Sequence, residues 1–231
     1  KEGYRVAPVI QSGELIDGLA GGMCQIASPL HAAAFFAGLD IVSTSPHSRP
    51  SSYIPMWLDS TVVYPTTDLK LRNPFDFPVV MHYQVNQGAV KVELLGRERP
   101  YKVVFEREII EERPFAAEER RDFEAPAGQT WVGQEGYPGY RALRRRYLFD
   151  AEAVLPRFLG GPEEPLQKAL AAKAIALLRV DRWQIHYPAT MQIDVVGAGS
   201  PKLKPKVPPP SHRIPAVPKG DAANVIDVMV L

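Results

Sequence analysis

Residues 20–31 read Ala-Gly-Gly-Met-Cys-Gln-Ile-Ala-Ser-Pro-Leu-His, and the helix that they begin organises the N-terminal part of the chain. Cys24, the only cysteine among 231 residues, follows a glycine pair after one intervening residue, Met23, and stands at the start of a helical pattern. A thiol at a helix N-terminus lies near the positive end of the helix dipole, which favours the thiolate. The segment therefore predicts a reactive cysteine in the first turn of a helix.

The helical pattern runs from Cys24 to Ala37, and Gly38 stands where a left-handed C-terminal cap residue is expected. Pro29 falls early in the helix, where proline is tolerated. One face is apolar and small, and we expect it to pack against a sheet. That face consists of Leu30, Ala33, Ala34 and Ala37. A short buried strand, Leu39–Val42, is predicted to follow.

The remaining residues up to 110 predict antiparallel strands. The turn sequence Asn86-Gln87-Gly88 is typical of a β-hairpin. Strands are expected at 59–64, 68–72, 78–85, 89–95 and 101–110. Residues 1–110 are therefore predicted to form one domain of the α+β class, in which the Cys-bearing helix packs on an antiparallel sheet.

The composition shifts at Glu111, where a charged stretch begins. We predict a smaller, mostly-β region with one helix after this point. Residues 111–200 are expected to be an accessory β-rich region, with the helix at 166–178 and a strand at 183–196. Residues 201–231 are expected to be a proline-rich tail that ends in a strand at 224–231.

The composition excludes several classes of function. A net charge of +1 gives no global electrostatic case for binding nucleic acid or an anionic membrane. A single cysteine excludes an intrachain disulfide and a Cys-rich zinc site, and it suits an oxidising compartment. The chain has no HExxH, GxGxxG or Walker motif, so we expect no metal and no other cofactor.

Membrane contact is not expected from this chain itself. No stretch approaches the roughly 20 apolar residues of a membrane span. The chain begins with Lys1 and not with Met, which is typical of an excised or processed piece. We expect any membrane anchor to lie in a segment outside this chain.

Cys24 is the leading candidate nucleophile. Acyl transfer by cysteine needs a thiolate, a nearby base and a third group that orients the base. His47 lies in a proline-framed polar loop after the predicted strand 39–42, and Asp59 begins the next predicted strand. The three residues predict a Cys–His–Asp site.

Each of these residues also has a purely structural interpretation. Cys24 could be a small buried hydrophobe, His47 a surface-loop histidine, and Asp59 a turn residue. His31 is a rival base, although two helical turns, about 10 Å, separate it from the cysteine. His82 and His186 fall in strand-like segments and are expected to be structural. Arg49 could bind a substrate carboxylate through a bidentate pair, or could be solvated.

Six separate motifs, in order, resemble the VanW family. They lie between about Tyr4 and Leu95. The motifs are residues 21–28, GGMCQIAS; 37–42, AGLDIV; 46–50, PHSRP; 53–55, YIP; 59–62, DSTV; and 71–74, LRNP. Three positions depart from the family pattern: Ala20 stands in place of a glycine, Pro29 in place of Ser or Thr, and His31 in place of Tyr.

The resemblance implies an extracytoplasmic bacterial protein of the envelope or periplasm, from a family associated with vancomycin-resistance clusters. It implies a cysteine L,D-transpeptidase that acts on peptidoglycan stem peptides, with a thioester on Cys24 and 3-3 cross-links or L,D-carboxypeptidase products. The family's cysteine, histidine and aspartate correspond to Cys24, His47 and Asp59. Substrate binding is expected from Gly22, Gln25, Ser48, Arg49 and Tyr53.

Two non-enzymatic functions stay open. The same fold could bind stem peptides or glycan without turnover, with Cys24 as a packing residue. Alternatively, the chain could be a structural protein of the envelope. Residues 124–145 resemble a glycine-marked wall-associated module that accompanies some VanW proteins, and this favours a wall-binding role for the second half.

Overall fold

A computed structural model describes residues 3–11, 14–19, 21–51, 53–155, 175–208 and 224–226. Within these ranges the chain has one helix and thirteen strands. In chain order these are β1 (Val6–Gln11), β2 (Glu14–Leu19), α1 (Met23–Ala37), β3 (Asp40–Ser43), β4 (Lys70–Arg72), β5 (Val80–Asn86), β6 (Ala89–Leu95), β7 (Tyr101–Arg113), β8 (Ala117–Pro126), β9 (Thr130–Gln134), β10 (Gly139–Asp150), β11 (Leu177–Tyr187), β12 (Gln192–Gly199) and β13 (Asn224–Ile226).

The expected α+β class, with a helix packed on one antiparallel sheet, is wrong. Strand residues make up 51% of the described residues and helical residues only 8%, so the protein is mostly β. The strands are divided among several small sheets. The prediction failed because β7, β10 and β11, each 11 to 13 residues long, pair with one another across large sequence separations.

The largest sheet in the described part of the chain has the strand order β11-β10-β7-β13 and is antiparallel throughout. A second sheet has the order β8-β12-β9, in which β12 is parallel to β8 and antiparallel to β9. Three two-stranded sheets, β1-β2, β3-β4 and β5-β6, complete the arrangement. The long strands of the largest sheet therefore come from both sides of the predicted boundary at residue 110.

Two locally encoded elements agree with their predictions. Helix α1 ends at Gly38, which adopts the left-handed conformation with φ of 84° and donates its N–H to the carbonyl of Phe35. Pro29 lies inside the helix. Strands β5 and β6 form the expected hairpin, and the positive φ values of Gln87 and Gly88, 48° and 80°, are those of a tight hairpin turn.

The main core joins the helix to the largest sheet. Phe35 of α1 packs with Phe105 of β7, with a ring-centroid distance of 5.6 Å, and Trp57 belongs to the same buried cluster. Two buried arginines of β10, Arg144 and Arg146, lie over aromatic rings of this core. Burial of this apolar surface holds α1 in place against strands of the second half.

The buried guanidinium group of Arg146 is stabilised at the C-terminal end of the helix. Arg146 donates to the carbonyls of Phe35 and Leu39, each at 2.9 Å, and forms an ion pair with Asp181 of β11 at 2.6 Å. A cation at this end of a helix meets unpaired carbonyls and the negative end of the dipole. The helix is thereby fixed by hydrogen bonds as well as by apolar packing.

Other element predictions differ from the structure. Residues 59–64 form no strand, and only a bridge between Val63 and Thr67 is present there. The predicted strand 183–196 is two strands, β11 and β12. The predicted helix 166–178 lies outside the described residues up to position 174, and Leu177 begins β11.

The domain division stays a prediction, and strand β7 runs through its boundary at residue 110. The expected terminal strand is present at β13, which pairs antiparallel with β7, while residues 227–231 lie outside the described ranges. Among the described residues no helix has the length and apolar character that crossing a bilayer requires.

Candidate active site

Cys24 is the second residue of α1, and the backbone around it brings the thiol to a nearby loop. Gly22 caps the helix without a side-chain hydrogen bond. The Cys24 sulfur accepts a hydrogen bond from the N–H of Val62 at 3.4 Å, and the side chain is partly buried. The thiol therefore lies at the meeting point of the helix start and the segment after Asp59.

A pair of serines fastens that segment to the helix. Ser28 is one helical turn after Cys24 and lies on the same face. Its hydroxyl accepts the N–H of Ser60 at 3.0 Å and donates to the Ser60 carbonyl at 3.2 Å. Thr44, just after β3, donates to the Ser60 hydroxyl at 3.2 Å. These bonds satisfy backbone groups of a segment that forms no sheet, and they keep Asp59 beside the helix.

His47 and Asp59 form a buried pair that two hydrogen bonds join. The Asp59 Oδ2 atom lies 2.8 Å from the His47 Nδ1 atom and accepts the His47 backbone N–H at 2.8 Å. The side chains are only 3% and 2% exposed. A carboxylate bonded to Nδ1 fixes the ring orientation and leaves Nε2 to act on other groups.

The Nε2 side of His47 faces Tyr53. The Tyr53 hydroxyl lies 3.2 Å from Nε2, and the two rings meet edge to face at 6.2 Å. His47 and Cys24 also interact through hydrogen bonding and charge, as their shifted pKa values reflect. The structure thus brings together the three residues predicted as catalytic, whose catalytic roles stay predictions.

The electrostatics of Cys24 and His47 favour a charged form of each side chain. Burial raises the pKa of the Cys24 thiol, but hydrogen bonds from His47 and the Val62 N–H outweigh it and lower that pKa below its ordinary value. Burial lowers the pKa of His47, but hydrogen bonds with Asp59 and Cys24 raise it to about 9. The arrangement therefore favours a thiolate–imidazolium pair, which is the nucleophilic form of a cysteine site.

His31, the rival base, is a structural residue in this fold. It is fully buried, its Nδ1 atom lies 2.8 Å from the carbonyl of Leu58, and its Nε2 atom lies 3.3 Å from Arg144. Burial and the charge of Arg144 lower the pKa of His31 to about 4. A histidine with that pKa is neutral at pH 7, and these contacts hold it in the core.

The residues predicted to bind substrate differ in how exposed they are. Gly22 is exposed at the helix start, and Gln25 and Ser48 are partly buried. Tyr53 is 40% exposed, whereas Arg49 is only 2% exposed. Among the described residues, none bonds to the Nη1 atom of Arg49, which is buried. The idea that Arg49 is simply solvated therefore does not hold.

Sequence reasoning missed Tyr187. This residue ends β11, and its hydroxyl donates to the Oδ1 atom of Asp59 at 2.5 Å. A tyrosine 128 positions from its partner carries no local signal that could reveal the contact.

His186, the residue before Tyr187, lies in β11, and His82 of β5 pairs with Glu93 at the surface. In the described ranges no three His, Cys, Asp or Glu side chains are grouped to hold a metal ion.

Comparisons with known proteins match part of the chain. The family model described as VanW like protein matches residues 1–95. The "Uncharacterized protein YoaR" of Bacillus subtilis (strain 168) is 36% identical over 93 residues, which are 40% of this chain and 31% of that protein. The chain thus spans about a third of the length of this relative. The family match includes Cys24, His47 and Asp59, and it ends well before Tyr187.

Proposed function

Residues 1–95 belong to the VanW-like family, and on this premise we propose that the protein is a peptidoglycan-modifying cysteine acyltransferase of the L,D-transpeptidase type. The observation that carries the proposal is the Cys24–His47–Asp59 arrangement. In it, a thiol with a lowered pKa interacts with an imidazole whose pKa is raised to about 9. Neither packing nor metal binding requires this arrangement, whereas acyl transfer through a thioester does.

The first half of the proposed reaction forms the acyl-enzyme. The Cys24 thiolate adds to the carbonyl carbon between the L-centre of a tetrapeptide stem and its terminal D-Ala. The tetrahedral intermediate carries a negative oxygen, which the uncapped N–H groups at the start of α1 can stabilise. Collapse breaks the C–N bond, the leaving amine takes the proton of the His47 imidazolium, and a thioester on Cys24 remains.

The second half transfers the acyl group. The side-chain amine of a diamino acid on an acceptor stem adds to the thioester, and neutral His47 takes its proton. Collapse of this intermediate expels the Cys24 thiolate and leaves a 3-3 cross-link. Water in place of the amine gives a carboxylic acid instead, so that the protein acts as an L,D-carboxypeptidase. Asp59 orients the imidazole through both halves and stabilises its protonated form.

The surrounding residues are proposed to bind the stem peptides. Arg49 is suited to a substrate carboxylate, because its buried Nη1 atom has no hydrogen-bond partner in the described part of the chain and a buried cationic group without such a partner costs folding free energy. Ser48 lies next to it in the chain and offers a further hydrogen bond. Tyr53 is proposed to line the groove, with Gly22 and Gln25 beside the nucleophile. The protein is proposed to act outside the cytoplasm, where peptidoglycan is the substrate.

Incubation with purified tetrapeptide muropeptides tests this function. We expect the wild-type protein to release D-Ala and to form 3-3 linked dimers, or tripeptides, detectable by mass spectrometry. Cys24→Ala should form neither product, and intact-protein mass spectrometry should detect the acyl adduct only when Cys24 is present. Because Cys24 is the only cysteine, an adduct on sulfur identifies its own position.

Two results would reject the proposal. One is equal product from Cys24→Ala and wild type. The other is saturable binding of muropeptides by the wild-type protein with no release of D-Ala, which would identify a peptidoglycan-binding protein without turnover.

A further inference from the structure

Three neighbouring strands of the largest sheet each send one side chain to the turn that precedes Asp59. Arg107 of β7 places its guanidinium 4.6 Å from the ring centroid of Trp57. Arg144 of β10 donates to the Trp57 carbonyl, and Tyr187 of β11 accepts the Trp57 N–H at 2.7 Å. Trp57 lies only two residues before Asp59. The sheet therefore holds this turn by both its backbone groups and its side chain.

Trp57 has a backbone conformation that needs such support. Its φ of 73° lies in the left-handed region, which is costly for a bulky residue. The side chain is 1% exposed, and its ring meets that of Tyr187 edge to face at 6.1 Å. Strain of this kind persists where surrounding contacts determine the conformation and is common at functional sites.

Tyr187 links this strained turn to the carboxylate. Its hydroxyl accepts from the Trp57 N–H and donates to the Oδ1 atom of Asp59, while the Oδ2 atom of Asp59 faces His47. Tyr187 is fully buried, so water does not substitute for its hydroxyl. With both oxygens engaged, the carboxylate cannot rotate away from the imidazole.

We propose that Tyr187 is a positioning residue for the Cys24–His47–Asp59 site, supplied by a strand outside the VanW-like residues 1–95. The inference rests on the proposed function for its catalytic meaning. The hydroxyl of Tyr187 holds Asp59 in the orientation that stabilises the His47 imidazolium, and the imidazolium in turn stabilises the Cys24 thiolate. Removal of this hydroxyl should therefore affect the protonation of the Cys24 thiol through Asp59 and His47.

The pH dependence of Cys24 alkylation by iodoacetamide tests the inference without requiring turnover. Tyr187→Phe keeps the ring and removes both hydrogen bonds. We expect the alkylation midpoint to move upward by about one pH unit, because an Asp59 carboxylate that has lost its fixed orientation stabilises the His47 imidazolium less. Tyr140→Phe is the matched control, since Tyr140 is a buried core tyrosine of the neighbouring strand and lies outside the site. It should leave the midpoint unchanged.

A double-mutant cycle separates positioning from general loosening of the core. In an Asp59→Asn background, Tyr187→Phe should cause no further shift of the alkylation midpoint. An unchanged midpoint in Tyr187→Phe alone, with a wild-type circular dichroism spectrum, would overturn the inference. So would an equal shift in the Tyr140→Phe control.

A measurement on the wild-type protein covers the case in which Tyr187→Phe does not fold. With selectively labelled tyrosine, the Tyr187 hydroxyl proton should exchange slowly and resonate at low field, and it should lose this protection in Asp59→Ala. A fast-exchanging Tyr187 hydroxyl in the wild type would overturn the inference. If the midpoint shifts as expected but no muropeptide product forms, the positioning stands and the enzymatic proposal fails. If product forms but the midpoint does not shift, the enzymatic proposal stands and the positioning role fails.

Discussion

His31 and His47 are both buried, and their surroundings drive their imidazoles to opposite protonation states. His47 lies against the Asp59 carboxylate and the Cys24 thiol, and its pKa is raised to about 9. Burial and the Arg144 cation instead lower the pKa of His31 to about 4. The same side chain thus serves as a charged partner in the site and as a neutral packing residue in the core, because the charge of the neighbouring group differs.

The site should be most active between the lowered thiol pKa and about pH 9. Below that window Cys24 is protonated, and above it His47 loses the proton that the leaving amine needs. In His47→Gln we expect the alkylation midpoint of Cys24 to rise above that of an ordinary thiol, because burial still raises its pKa while the imidazolium is gone. Alkylation rates from pH 5 to 10 give the midpoints of the wild type and of His47→Gln. An unchanged midpoint in His47→Gln would contradict the ion-pair interpretation.

His31 should make the fold sensitive to acid. Its pKa falls from 6.5 in the unfolded chain to about 4 in the folded protein, so between these values the unfolded state binds more protons. Stability should therefore decrease as the pH falls from about 6.5 to 4, by up to about 3 kcal/mol from this residue. Urea unfolding at several pH values measures the loss, and His31→Gln should reduce its slope. His82→Gln removes an exposed imidazole and controls for the substitution.

At the scale of elements, the structure separates local signals from long-range ones. Helix α1 and the β5–β6 hairpin were predictable because a cap glycine and a turn glycine mark their ends. Residues 59–64 resemble a strand in sequence, but side-chain bonds to Ser28 and the Cys24 sulfur hold the backbone there instead of a neighbouring strand. No pattern within the segment could indicate those partners.

The sequence of strand β10 does not indicate a core strand, for a different reason. Its inward face includes Arg144 and Arg146, which break the expected alternation of apolar and polar residues. Arg144 lies over aromatic rings and donates to the Trp57 carbonyl, and Arg146 bonds to helix carbonyls and to Asp181. Motifs and spacing were enough to propose Cys24, His47 and Asp59 as site residues. The position of Tyr187 depends instead on the pairing of β11 with β10, which they do not reveal.

Two glycines with left-handed backbones predict different costs for the same substitution. Gly38 and Gly88 have φ values of 84° and 80°, but a Cβ on Gly38 would lie 2.5 Å from the Tyr101 ring, while none is near Gly88. Gly88→Ala should cost about 1 kcal/mol of unfolding free energy from the backbone alone. Gly38→Ala should cost clearly more, because the ring must also shift. Urea unfolding compares the two, and equal losses would contradict the steric argument.

At the scale of the whole molecule, one core joins the two halves of the sequence. Phe35 and Trp57 come from the VanW-like residues, while Leu148 and Tyr187 come from strands that follow them. Loss of the later strands would expose the inner face of α1 and remove the contacts that hold the turn at Trp57. Folding of the candidate site is therefore coupled to residues far outside the family match.

We accordingly expect a chain ended at residue 110 to lack a cooperative unfolding transition. Such a chain keeps β7 up to that point and loses β10 and β11, so the buried face of Phe35 has too few partners. A chain ended at residue 208 retains both strands and serves as the control. Thermal denaturation followed by circular dichroism compares them. A sharp transition in the shorter chain would show that the first 110 residues form an independent unit.

The contact between Tyr187 and Asp59 also bears on how this architecture can be rearranged by recombination. A motif-bearing segment that needs a hydroxyl from 128 positions away is not a portable module. Grafted before an unrelated partner, it would keep every recognisable motif and lose the orientation of its carboxylate. A replacement partner would have to bring a tyrosine at the end of a strand in the same register. Motif searches alone would therefore overestimate how many such chimaeras retain a working site.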